Sequence, residues 1–275
     1  MRISAEFETI SEIFIREVIK DIIMMTKIKN ALKAEFINGR TLFDWIFLAC
    51  GVVLQIVAIA IGFASGNPES WMSIVSGLTG IIAVVLCAQG KISFYLFGYI
   101  QLLTYVFGIA IPFALWGEVI ENIFYFITMV YGTYVWFKNY RTKSNGSSEI
   151  KSKKLTKKGW IISLAIFVFG TIATGIFLTY AHALLPAIFT EADPTPWLDA
   201  VTTVAPFIAQ IFMMLGYRDQ WAFWIVEDII SMIMFTILGS WVMVAQYLFW
   251  TVNCIYGWYM WTKANKKECS DVVKI

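Results

Sequence analysis

The chain has 275 residues, of which 59% are hydrophobic and 15% charged, with a formal net charge of +2 and a mean hydropathy of +0.70. A soluble domain is nearer half apolar and a quarter charged, so these values exclude a soluble globular protein and describe a polytopic membrane protein. Four cysteines without a C-x-x-C pair, and a single histidine at His182, argue against a disulfide or zinc framework and a histidine relay.

Residues 5–36 carry apolar groups at helical spacing, among them Phe7, Ile10, Phe14, Met25, Ile28 and Leu32, with Lys and Glu on the other face. The pattern predicts an amphipathic helix within an arm 1–40, lying on the membrane surface or against the cytosolic face of the protein. The N-terminus lacks the basic start and apolar run of a signal peptide. A membrane-crossing helix needs about 20 apolar residues, and eight segments qualify: about 42–63, 71–89, 93–115, 118–137, 160–180, 198–216, 220–239 and 241–261. Joints at Gly90–Lys91, Trp116–Gly117 and Gly216–Asp219 are so short that neighbouring helices there form antiparallel hairpins.

With eight spans, all 21 lysines and arginines fall on one side: the arm to Arg40, Lys91, the stretch 138–158, Arg218 and the segment after Trp261. The other side holds only acids, Glu69, Glu191 and Asp193, with Glu118 and Asp199 at span ends. The positive-inside rule then puts both termini in the cytosol. Asn145-Gly146-Ser147 matches a glycosylation sequon, but its place in the basic loop makes it a flexible linker.

A shift of 126 residues aligns the two halves. Trp71 falls on Trp197, Ile82 on Ile208, Gly90 on Gly216 and Phe97 on Phe223; after a one-residue slip, Y-G-x-Y-x-W at 131–136 falls on 256–261. The fold class expected is all-α: eight transmembrane helices in which two parallel three-helix repeats, 71–137 and 197–262, are joined by a linker helix within 138–196. That middle segment also holds the basic cytosolic loop and an outer loop. An additional helix lies in 41–70, and 263–275 is a cytosolic tail. Parallel repeats about an axis normal to the membrane are a transporter plan, with substrate near the midplane. Pro206 lies opposite Gly80 in the first helix of each repeat, and both are hinge candidates.

Trp221, Trp224 and Asp228 share one helix face at i, i+3 and i+7, and Gln246, Trp250 and Asn253 share another, with Tyr256 close by. Trp221 is near the cytosolic end, where an interfacial belt also explains a tryptophan. Trp250, Asp228 and Asn253 lie deeper, and an acid at that depth has to face protein or water. Glu227, on a different face from Asp228, reads as more structural. Indoles, a carboxylate, an amide and a phenol make a slot for a flat, cationic ring, since a desolvated cation–π contact is worth about 2 kcal/mol.

The runs W-x-x-W-x-x-x-D at 221–228, W-x-x-N-x-x-Y-G at 250–257 and G-K-x-S-F-Y-x-F-G at 90–98 resemble the PnuC family of bacterial vitamin transporters, over about 42–262. The resemblance implies a SWEET-like 3+1+3 plan and uptake of nicotinamide riboside by facilitated diffusion, with a cytosolic kinase trapping the product. It implies a site of Trp221, Trp224, Asp228, Trp250, Asn253 and Tyr256, with Gln89 and Gln101 from the first repeat, in a bacterial cytoplasmic (inner) membrane. Thiamine and riboflavin carriers of the same family, and an ion-coupled symporter using Asp228, are the alternatives. A sugar carrier would want fewer aromatics, and a retinal photoreceptor would need a lysine deep in a late span. No nucleophile–base pair, metal set or G-x-x-x-x-G-K-[ST] loop is present, so no enzyme activity, cofactor or nucleic-acid partner is expected. The partners expected are the vitamin and the lipid bilayer, with a homo-oligomer left open.

Overall fold

The computed structural model describes residues 20, 23–64, 66, 70–112, 116–142, 148–189, 192–237 and 241–272. A helix over 23–36 (α1) precedes α2 (Leu42–Ala64), α3 (Trp71–Ala88) and α4 (Phe94–Tyr105), which runs into a π-helical turn at Val106–Ala110. Then come α5 (Trp116–Asn139), a hairpin of β1 (Tyr140–Thr142) and β2 (Ser148–Ile150), α6 (Lys157–Leu184), α7 (Pro196–Leu215), α8 (Gln220–Ile237) and α9 (Trp241–Val272). Among the described residues, five helices are long and apolar enough to cross a membrane: α2, α3, α6, α7 and α8. The stretch Phe94–Ala110 is a shorter apolar helix.

Local chemistry sets the helix ends. Ser70 caps α3 by accepting the Ser73 N–H at 3.1 Å, and Thr156 caps α6 by accepting the Gly159 N–H at 3.0 Å. Pro196 opens α7, where a missing N–H loses nothing. The turns α3–α4 and α7–α8 are built alike. Gly90 (φ 69°) and Gly216 (φ 76°) take the left-handed conformation. The next N–H reaches back into the helix, from Lys91 to the Leu86 carbonyl at 2.9 Å and from Tyr217 to the Phe212 carbonyl at 2.8 Å.

The structure amends several sequence expectations. The stretch 138–158, read as a loop, carries the β1–β2 hairpin, with Tyr140 paired to Ile150. Helix α9 continues through Val272, so 263–272 of the expected tail is helical. The linker helix is longer than 160–180 at both ends. The third span leaves the α-helical register at Val106. Of the amphipathic arm, residues 1–19 and 21–22 lie outside the described residues, as do Asn145-Gly146-Ser147, Glu69 and Glu191.

Helices α3 and α4 pack together, as do α7 with α8, α8 with α9 and α6 with α7. Two further packings, α5 on α7 and α3 on α9, join the halves. Outward faces are apolar and exposed, as at Leu96, Ile127, Ile166 and Phe169. That is how a helix meets lipid, where its backbone is already satisfied internally. The main core lies toward the lysine-rich end and gathers Leu86, Phe94, Tyr95, Trp136, Trp221 and Trp261.

Candidate functional site

One helical register sets the indoles and acids of α8. Trp221 and Asp228 are buried, at 3% and 2% exposure, and Trp224 is half-buried, packed against both core clusters. Trp221 can lie against α9 because residue 257 is glycine: a Cβ there would come 2.5 Å from the indole. The same crossing occurs in the first half, where Gly132 makes room for Tyr95. This gives a steric reason for the shared Y-G at 131–132 and 256–257.

Asp228 is within hydrogen-bonding reach of Cys254 on α9 and of Glu227, while its Oδ2 has no partner among the described residues. Glu227 accepts the Ser231 hydroxyl at 3.0 Å and is within electrostatic reach of Glu121 on α5. Lys91 and Arg218, in the turns between helices, are the cations of the two three-helix segments, and no lysine or arginine occurs in 92–137 or 219–262 to face these acids along α8 and α9. A charge there has to find a partner, and a cationic ligand is one.

From α9, the Asn253 amide donates through Nδ2 to the Val84 carbonyl of α3 at 3.2 Å, leaving its buried Oδ1 unpaired. Trp250 is half-buried and edge-on to Tyr247 at 5.0 Å. Gln246, on the same face by sequence, is exposed. Tyr256 donates its hydroxyl to Asp44 Oδ1, and its ring meets Phe43 at 4.9 Å. Asp44 also accepts the Thr41 N–H at 2.5 Å and the Thr41 hydroxyl at 2.9 Å, closing a capping box at the start of α2. Nearby, burial lowers the pKa of Arg40, against the opposing pull of Asp44 and Glu35.

Gln89, at the end of α3, is buried with both amide atoms unpaired. Gln101 is half-buried, and its side chain lies 3.2 Å from where a Cβ on Gly80 would stand. The helices run unbroken through Pro206 and Gly80. The structure thus brings Trp221, Asp228 and Asn253 to the packing of α8, α9 and α3. Tyr256 is tied to α2 and Gln101 lies over α3.

Three residues escaped sequence reading. Gln220 is fully buried with both amide atoms unpaired, next to Trp221; a polar residue opening the tryptophan run was its signal. Gln210 on α7 donates to the Thr128 hydroxyl on α5 at 3.0 Å, and a lone amide in an apolar span marked it. Asp44 was announced by T-L-F-D at 41–44. Among the described residues, buried polar atoms of Asp228, Asn253, Trp221, Gln89 and Gln220 have no hydrogen-bond partner, although buried polar groups in folded proteins are nearly always paired.

A family model described as nicotinamide mononucleotide transporter matches residues 70–263. The chain is 32% identical over 244 residues to the nicotinamide riboside transporter PnuC of Neisseria mucosa, covering 86% of this chain and 87% of that one. It is 33% identical to the protein of the same name from Haemophilus influenzae, covering 86% and 96%. The crystal structure of the vitamin B3 transporter PnuC superposes with a TM-score of 0.67 at 31% identity, covering 86% of this chain and 97% of that one. By sequence along most of its length and by fold, this chain belongs to the PnuC family of membrane transporters.

Proposed function

We propose that the protein takes up nicotinamide riboside across a bacterial cytoplasmic membrane by facilitated diffusion. In this reading α2–α9 all cross the bilayer, with the lysine-rich end in the cytosol. Helices α3–α5 and α7–α9 form two parallel units joined by α6. Five apolar helices of spanning length, the matched turns at Gly90 and Gly216 and the matched Gly132 and Gly257 crossings support that plan. Alternating access is then one unit rocking against the other, with a hinge at Pro206 and Gly80, and a cytosolic kinase makes uptake one-way by phosphorylating the product.

The observation that carries the substrate is chemical: a buried carboxylate at Asp228 whose Oδ2 has no partner among the described residues, beside indoles, without a lysine or arginine in 219–262. Nicotinamide riboside is a pyridinium cation on a ribose. Its ring charge suits Asp228 and the faces of Trp224 and Trp250, and its hydroxyls and amide suit Asn253 and Gln89. The mononucleotide adds a phosphate for which 92–137 and 219–262 provide no lysine or arginine, so the site favours the riboside. The curated relatives carry the riboside in their names.

Calorimetry on purified protein tests this with nicotinamide riboside, its 5′-phosphate, thiamine and riboflavin. The riboside is expected to bind in the micromolar range and the phosphate at least about a hundredfold more weakly, a gap of about 2.7 kcal/mol. Trp224→Ala and Asn253→Ala are expected to abolish binding in protein that remains folded and monodisperse. Normal affinity in those variants rejects the site. The alternative, an ion-coupled symporter using Asp228, is rejected by counterflow in the absence of a proton gradient.

A further inference from the structure

At the lysine-rich end the two halves exchange hydrogen bonds. Trp136, near the end of α5, donates its indole N–H to the Met213 carbonyl of α7 at 2.8 Å. Trp261, on α9, donates to the Cys87 carbonyl of α3 at 3.1 Å. The alignment that pairs Trp136 with Trp261 also pairs Cys87 with Met213. The two bonds are therefore one bond made twice, each from the third helix of one unit to the first helix of the other. Both acceptors are in the last turn of a helix and already take one backbone N–H, Cys87 from Gly90 at 2.9 Å and Met213 from Gly216 at 3.0 Å, so each indole uses the second lone pair of its carbonyl. Both indoles are buried, at 0% and 2% exposure, and their rings meet at 5.5 Å.

The segment 150–153 crosses the same end. The Ile150 N–H donates to the Gly90 carbonyl at 2.8 Å, and the Lys153 N–H to the Gly216 carbonyl at 2.8 Å. These are again equivalent points on the two units. Between them the Ser152 hydroxyl donates to the Trp261 carbonyl at 2.8 Å. The space left between Gln89, Ser152 and Ala264 is about 10 Å³, room for about one water and none for a nucleoside.

Rocking of one unit against the other, the reading on which this inference rests, moves α9 relative to α3 and α5 relative to α7. Both indole bonds span those boundaries, so neither survives opening at this end. We propose that Trp136, Trp261 and the 150–153 strap form the cytosolic gate, closed when both indole bonds are made and open when both are broken together. Each indole N–H exchanges a carbonyl for water as the gate opens, so each bond shifts the equilibrium by a modest factor, and the two factors multiply.

The test is alkylation of the native Cys87, which is buried at 6% exposure beneath Trp261, by a membrane-impermeant maleimide. The protein is held in lipid nanodiscs and labelling is read peptide by peptide by mass spectrometry. Trp136→Phe and Trp261→Phe keep a ring and delete the N–H. Each is expected to raise the Cys87 labelling rate about fivefold, and the double variant about twenty-five-fold, as expected for net hydrogen bonds of ordinary strength. Ser152→Ala, which frees the strap from Trp261 and leaves both indoles, is expected to raise the rate two- to fivefold, on the order of one such bond. Folded Phe variants that label at the parental rate overturn the gate. Should the Phe variants not fold, parental labelling in Ser152→Ala overturns it instead. Nicotinamide riboside binding is measured on the same samples. A parental protein that fails to bind it counts against the proposed substrate, while the labelling ratios still decide the gate.

Discussion

In the proposed site, Asp228 is the residue that answers the charge of the substrate. A carboxylate beside indoles holds a pyridinium by charge, and an amide of the same shape holds it only by hydrogen bonding. Asp228→Asn is therefore expected to weaken binding of the oxidised riboside by about a hundredfold, the scale of a charge-assisted contact in a partly desolvated site, while leaving the neutral dihydro form nearly unchanged. Competition calorimetry with the two forms reads this directly, and an equal loss for both assigns Asp228 a structural role. Tyr256 makes the opposite case. Its hydroxyl goes to Asp44, so Tyr256→Phe is expected to lower the melting temperature by several degrees, about 1.5–3 kcal/mol for a hydrogen bond to a charged group, with riboside affinity within about threefold of the parent. A selective loss of affinity instead returns the phenol to the substrate. The acids and indoles were legible in the sequence because polar groups stand out against apolar spans. The partner of Tyr256 was not, because it lies 212 residues away and no local pattern records such a contact.

At the scale of elements, glycine decides how closely α8 approaches α9. With a Cβ 2.5 Å from the Trp221 indole, Gly257→Ala forces the ring or the helix to move. It is expected to destabilise the protein by about 1–3 kcal/mol, the usual range for overpacking, and to shift tryptophan emission, both measurable in detergent. Unchanged melting and emission would mean that the crossing has slack. Helix positions followed from hydropathy alone, since a run of apolar residues has no alternative in lipid. The π-helical turn at Val106–Ala110 and the strap did not. The strap is held largely through backbone N–H and carbonyl groups, which every residue possesses, so its side chains announce only the lysines of a loop. The duplicated Y-G-x-Y-x-W was readable as a repeat. Its physical content, a glycine under an aromatic ring and a tryptophan reaching across to the other half, needed coordinates.

For the whole molecule, the strongest sequence-level constraint is that eight crossings would put all 21 lysines and arginines on one side. It is also why a count of eight crossings is proposed although five helices meet strict length and hydropathy limits. Helices α5 and α9 are diluted by tyrosine, tryptophan, asparagine and charged ends, the composition expected of spans that face partner helices as well as lipid. The connector α6 is different. Its 28 residues extend about 42 Å at 1.5 Å per residue, against about 30 Å of hydrocarbon. Its Lys157-Lys158 end reaches toward the headgroups, and in a thinner bilayer the apolar stretch beyond them is expected to lean further. Because α6 packs on α7, its tilt is handed to one half of the carrier and not to the other. Vesicles reconstituted with progressively shorter acyl chains should therefore show a changing uptake rate at constant binding affinity, making lipid length a control on turnover that acts far from any vitamin contact.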